Sequence, residues 1–235
     1  MGHAPVWSSE APAASPPGPT TAPAAEFERW RVISAPGSHR ALWLGLASVA
    51  AVSGAALGDR WLSHETLESA SRIEGRLAAA AQPFGNPALV LPAALCVYGA
   101  GRWLARPAAS AGALRVGATT LVAGASALAI KQLVGRARPE ESPDDPWNFA
   151  PFSGHQSFPS GHATLAFAVA GAVDRETSSR WVPWLVYPLA AAVGWSRVHQ
   201  GEHWTSDVVA GAALGTWTAS WVGRELDRRR AIRRP

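Results

Sequence analysis

Cysteine is almost absent from this chain of 235 residues: Cys96 is the only one. It lies inside an apolar segment, so a disulfide framework and a cysteine-rich metal site are both excluded, and a packing role is expected for it. Charge is scarce as well. Asp, Glu, Lys and Arg make up 16% of the residues, against about 25% in an average soluble domain. Hydrophobic residues reach 48%. The mean hydropathy of +0.02 hides this imbalance, because polar ends dilute an apolar middle. The net charge of +4 and the pI near 10.2 could mark a nucleic-acid binder. Here, however, the basic residues bunch at the ends of apolar segments, as in a membrane protein, and no nucleic-acid partner is expected. No cleavable signal peptide is visible ahead of the first apolar run, which is expected to serve as an uncleaved anchor.

Residues 1–37 are rich in Pro and Ala without apolar periodicity and read as a disordered cytoplasmic tail. Six stretches free of Asp, Glu, Lys and Arg follow: Ala41–Gly58, Leu77–Gly101, Val116–Ile130, Ala163–Val173, Trp181–Ser196 and Val208–Gly223. A span needs about 20 mostly apolar residues. The fourth run is short, but no fixed charge lies between Trp147 and His162, so it extends back to Pro159. Trp43, Trp61, Trp103, Trp181, Trp195 and Trp221 sit near run ends, where an interfacial belt belongs. Gly211 and Gly215 form a G-x-x-x-G step that permits close helix approach. Between the first two runs, Leu62, Leu67, Ile73 and Leu77 alternate with charges, among them a Glu68–Arg72 pair at i,i+4, as in a helix on the membrane surface or in a solvated loop.

The expected fold is therefore all-α: a six-span transmembrane helix bundle over residues 38–223, followed by a basic cytoplasmic tail at 224–235. With six spans, the side carrying both termini holds 14 Lys and Arg and the opposite side 7. The excess places the termini in the cytoplasm and the other loops outside it.

Three polar clusters fall on that outer side. Lys131-Gln-Leu-Val-Gly-Arg-Ala-Arg138-Pro139 ends the third run. Pro159-Ser160-Gly161-His162 opens the fourth. Ser196-Arg197-Val-His-Gln-Gly-Glu-His203-Trp-Thr-Ser-Asp207 joins the fifth to the sixth. Ionisable groups at membrane depth are costly and therefore functional candidates. The residue types suit phosphoryl transfer, where positioning and charge stabilisation dominate. Lys131, Arg138 and Arg197 supply positive charge, with arginines able to hold phosphate bidentately. Ser160 and Gly161 would present a hydroxyl and a backbone N–H at a helix N-terminus. His203 and Asp207, four apart, share a face if helical, so the carboxylate can fix the imidazole tautomer. His162 is a second imidazole, available as a general acid. Ser153-Gly154-His155 repeats part of the second cluster but lacks the preceding proline and opens no span. His199, His203 and Asp207 also step as a metal-ligand stripe, which keeps a metal-dependent membrane hydrolase open.

Together the clusters resemble the type 2 phosphatidic acid phosphatase family, with its pattern K-x6-R-P, P-S-G-H and S-R-x5-H-x3-D. All eleven fixed positions match in order and spacing. The resemblance implies a lipid phosphate or diphosphate phosphatase of the bacterial cytoplasmic membrane, with the site on the extracytoplasmic face. It implies that His203 attacks phosphorus to form a phosphohistidine, that Asp207 orients it, and that His162 protonates the leaving alkoxide. Lys131, Arg138, Ser160, Gly161 and Arg197 would hold the phosphate, with no metal and no cofactor. Arg136 and His199 match no fixed position and are expected to support the site from behind. The acidic stretch with Glu140, Glu141, Asp144 and Asp145 is expected to help select the head group. Transfer of the phosphoryl group to an alcohol instead of water, and a non-enzymatic anion-binding role, are the remaining alternatives.

Overall fold

The computed structural model describes residues 39–68, 76 and 79–232. The Pro/Ala-rich tail and the Glu68–Arg72 pair therefore lie wholly or partly outside the described residues. The chain divides at Ala41, and apart from the first three residues of the first helix everything below concerns the unit Leu42–Pro235. Among the described residues six long α-helices carry the fold: α1 His39–Glu68, α2 Pro87–Trp103, α3 Pro107–Val134, α4 Gly161–Glu176, α5 Val182–His199 and α6 Thr205–Ile232. A 3-10 turn at Gln82–Gly85 precedes α2. Among the described residues there is no β-strand, only an isolated bridge between Arg136 and Phe149.

Each apolar run becomes one helix except the second. That run breaks at Asn86, where the helical segment Ala79–Gly85 meets Pro87–Trp103 at 60°. The local chemistry is explicit: Pro87 opens α2, and the Asn86 side chain accepts from Ala88 N as its cap. By length and composition, two helices among the described residues can cross a membrane, Leu42–Ser63 and Pro107–Val134. The bent pair makes a third if it counts as one span.

α4 and the part of α6 packed on it are built for packing against protein. α4 is the centre of the bundle and packs against α3, α5 and α6, with Ala163, Ala166, Ala168, Ala170 and Ala172 fully buried. A helix enclosed by protein needs small side chains that let its neighbours approach, not leucines that face lipid. Gly211 and Gly215 do this from α6: a Cβ at Gly211 would come within 2.6 Å of Ser160 O, and one at Gly215 would overlap Thr164 O. The outer helices are the reverse. Leu42, Trp43, Leu57, Leu95, Leu121 and Leu128 are exposed, an apolar surface suited to lipid contact. Cys96 is exposed on α2, so its expected packing role is not what the fold gives it; it sits on the outer face of a peripheral helix.

Two charged layers bound this apolar stretch. At one end Arg115 of α3 pairs with Glu176 of α4 and donates to Asp227 of α6 at 2.6 Å and to Gly223 O at 3.1 Å. At the other lie the end of α3, the start of α4, the end of α5 and the start of α6. Sixteen positions separate Arg115 from Lys131, about 24 Å of helix.

Candidate functional site

Local backbone rules bring three distant motifs to that second end. α3 stops just past Lys131 because Gly135 takes the left-handed conformation, φ 57°, and donates its N–H to Lys131 O. A side chain there would overlap Ala150 O, so glycine is required twice over. Ser160 caps α4, its side chain accepting from Ala163 N. Its own N–H donates to Asp207 O at 2.9 Å, which ties the second motif to the third. That N–H is therefore committed, and of the expected Ser160–Gly161 donors the hydroxyl and the Gly161 N–H are left to face an anion. Gly161 lies against Lys131 Cε, at 3.7 Å for an added Cβ.

Lys131 and Arg197 are buried, and Arg138 is partly exposed. Lys131 Nζ donates to Gln156 O and, at 3.5 Å, to Ser157 O. Arg197 is buried, donates from Nη1 to Gln200 Oε1 at 3.2 Å, and pairs through Nη2 with Glu202. The same Glu202 oxygen lies 3.6 Å from Arg138 Nη1. One carboxylate thus bridges the two arginines. Arg197 Nε and His203 Nδ1 are buried without a hydrogen-bond partner, an arrangement that suits donors waiting for an anion or a proton shift. Gln82 of the 3-10 turn donates to Gln200 at 2.8 Å. The bend before α2 therefore reaches the Arg197 end of the site, and Gly85 in that turn presses on His162 O, where a Cβ would come to 2.6 Å.

His203 stands in the turn before α6, buried, with Nδ1 3.6 Å from Asp207 Oδ2. Burial pushes its imidazole below the ordinary range, while Asp207 pulls in the opposite direction. Burial thus favours the neutral imidazole, the form that carries a nucleophilic lone pair. Asp207 is held on all sides: Oδ1 accepts from Arg136 Nη1 at 2.6 Å, and Oδ2 accepts from Ser157 Oγ at 2.5 Å and Trp204 N at 2.9 Å. His162 opens α4 within the electrostatic reach of Arg197, His203, Lys131 and Arg138. All eight expected site residues therefore gather at one end of the bundle.

Other expectations fare differently. The metal-ligand stripe presupposes one continuous helix, but α5 ends at His199 and α6 begins at Thr205. His199 stacks on Trp195, ring centroids 4.8 Å apart. Among the described residues no three His, Cys, Asp or Glu side chains group as metal ligands would. Arg136 is more central than the motif suggests. It is buried against Phe149 and Trp204 and contacts Asp207 directly. Glu141 accepts from Arg138 N and lies 3.0 Å from His155 Nδ1; the first contact holds its carboxyl below the usual range. That places the second Ser-Gly-His copy in the acidic loop. Sequence reasoning missed Glu202, Ser157 and Asp59. Asp59 alone carried a signal, as a carboxylate at the very end of the first apolar run.

The sequence profile described as the PAP2 superfamily matches residues 112–230. Lipid A 1-phosphatase of Rhizobium johnstonii is 40% identical over 105 residues, covering 42% of this chain and 41% of the relative. Decaprenylphosphoryl-5-phosphoribose phosphatase of Mycobacterium tuberculosis is 37% identical over 127 residues, 50% of this chain and 66% of the relative. The chain thus spans about two-fifths of the first relative's length and two-thirds of the second's. In fold, the chain is similar to a transmembrane PAP2-type phosphatidylglycerolphosphate phosphatase from Bacillus subtilis. The TM-score is 0.59 at 20% identity, over 84% of this chain and 99% of the other.

Proposed function

Because this chain belongs to the PAP2 superfamily, we propose that it is an integral-membrane phosphatase that removes phosphate from a lipid phosphate or polyprenyl diphosphate. One observation carries the reading: a carboxylate-backed imidazole and three cations meet where four helix ends converge. The relatives are named for lipid A 1-phosphate and decaprenylphosphoryl-5-phosphoribose, both phosphate-bearing substrates.

In the proposed reaction the phosphate displaces Glu202 from Arg138 and Arg197 and also faces Lys131, the Ser160 hydroxyl and the Gly161 N–H. With Nδ1 turned to Asp207, His203 attacks through Nε2. The P–N bond forms as the P–O bond to the lipid breaks, and His162 gives the departing alkoxide its proton. His162 then takes a proton from water, whose oxygen attacks phosphorus. The P–N bond breaks, orthophosphate leaves and His203 returns neutral. The cations stabilise the charge that a metal handles in other phosphatases, so the reaction is proposed to need none. Six spans, cytoplasmic termini and an extracytoplasmic site complete the reading; the 14 to 7 division of basic residues supports the orientation.

The test is phosphate release by the purified protein across phosphatidate, phosphatidylglycerol phosphate, lipid A and polyprenyl diphosphate, with and without EDTA. Release from at least one lipid, indifferent to EDTA and blocked by vanadate, is expected. No release from any of them, or loss of turnover with EDTA, contradicts the proposal.

A further inference from the structure

α1 stands apart from the packed core: among its described residues only Asp59 and Ser63 are buried. Asp59 is fully buried near the end of a helix apolar enough to cross a membrane, where a carboxylate is costly and calls for a reason. Its oxygens act only as acceptors. Oδ1 takes the Ser206 N–H at 2.8 Å, and Oδ2 takes the Ser206 hydroxyl at 2.5 Å and Arg136 Nη2 at 2.9 Å. The other end of the Arg136 guanidinium, Nη1, donates to Asp207 at 2.6 Å. Arg136 is therefore a buried cation shared between two buried carboxylates, one of which backs the nucleophile.

The charge count of this cluster is what matters. Arg136 beside Asp207 alone would make a neutral pair, and Asp207 would have little field left to offer His203. With Asp59 on the far side, Asp59, Arg136 and Asp207 sum to one negative charge in a site from which water is largely excluded. That is the charge needed to stabilise the His203 ring as it becomes cationic on bonding to phosphorus.

We propose that Asp59, on the first helix and outside all three motifs, is a positioning residue of the reaction: it draws on Arg136 so that Asp207 keeps its negative charge for His203. Asp59 never touches substrate and acts through Arg136. The proposal rests on the phosphatase reading above and adds a residue to its machinery.

The rival role is simple anchorage of α1 to the start of α6, and three variants separate the two. Ser206→Ala removes the hydroxyl's bond to Asp59 and the one it accepts from Arg136 Nη1 at 2.7 Å, but no charge. Asp59→Asn removes the charge but keeps the shape. The double variant Asp59→Asn/Arg136→Met removes carboxylate and cation together, leaving Asp207 with its Ser157 and Trp204 contacts. All are purified in detergent, checked by melting temperature, and assayed for kcat and KM on the lipid phosphate that the parent turns over. Asp59→Asn is expected to lose roughly a hundredfold in kcat with KM within about threefold, whereas Ser206→Ala stays within about threefold of the parent. The double variant should recover at least about tenfold over Asp59→Asn, which loss of an anchor cannot produce. A double variant no faster than the single one, or Ser206→Ala as slow as Asp59→Asn, overturns the proposal. If Asp59→Asn does not fold, the double variant decides alone: kcat within about tenfold of the parent supports the charge role, and a loss as deep as that of Asp207→Asn overturns it. A parent inert on every lipid phosphate defeats the phosphatase reading itself; an active parent with a fully active Asp59→Asn defeats only this inference.

Discussion

At the residue scale, Asp207 shows how an acid can be fixed without being consumed. Three donors, Arg136, Ser157 Oγ and Trp204 N, hold its carboxylate, so its position does not depend on His203. Replacing it with Asn keeps the shape and removes the charge. Asp207→Asn is therefore expected to lower kcat by about 10²–10⁴-fold with KM nearly unchanged, measured by steady-state kinetics on the lipid substrate. A change confined to KM would make it a binding group. Glu202 makes the opposite case. Its carboxylate occupies the face of Arg138 and Arg197 that a phosphate would take, and two anions cannot share it. Glu202→Gln should make orthophosphate a several-fold stronger competitive inhibitor; an unchanged inhibition constant would remove Glu202 from the phosphate's path.

At the scale of the element, α4 and α6 depend on backbone proximity more than on side-chain bulk. A methyl group at Gly215 would overlap Thr164 O, a backbone carbonyl in the first turn of α4. Gly215→Ala should accordingly lower the melting temperature, with an overpacking cost of about 1–3 kcal/mol, and lower activity by shifting Asp207 against Ser160. A variant with parental stability and rate would show that the helices part freely. The G-x-x-x-G step was readable in the sequence because its spacing is local, and so were the six apolar runs and the motifs at their ends. The bend at Asn86 was not read, although Pro83, Gly85, Asn86 and Pro87 announce it: the stretch carries no charge, and counting charge alone merges the two segments. Glu202 and Ser157 were illegible for another reason. Nothing local distinguishes them from loop residues, and only the folded chain brings Glu202 to Arg138 or Ser157 to Asp207. The metal-ligand stripe failed because its spacing assumed a helix through residues 200–204, where the chain turns instead.

At the scale of the molecule, charge is sorted into two layers with an apolar span between them. Arg115, Glu176 and Asp227 close one end, and the candidate site occupies the other. If the basic excess fixes orientation, a cysteine replacing Asp145 in a Cys96→Ala background should react with an impermeant thiol reagent in intact cells, and one replacing Arg230 should not. Reversed labelling would put the site on the cytoplasmic side and change the lipids it can meet.

The central claim is that the phosphoryl group passes through His203, and His162→Ala offers the most direct test. p-Nitrophenolate leaves without a proton, so the variant can still complete the first transfer, but it lacks the base that activates water for the second. Rapid mixing with p-nitrophenyl phosphate should release a burst of p-nitrophenolate near one equivalent per protein, followed by slow turnover. The quenched protein should carry an acid-labile, base-stable phosphate that is absent when His203 is also replaced by Ala. Turnover without a burst, or a trapped phosphate that survives the loss of His203, would contradict the account.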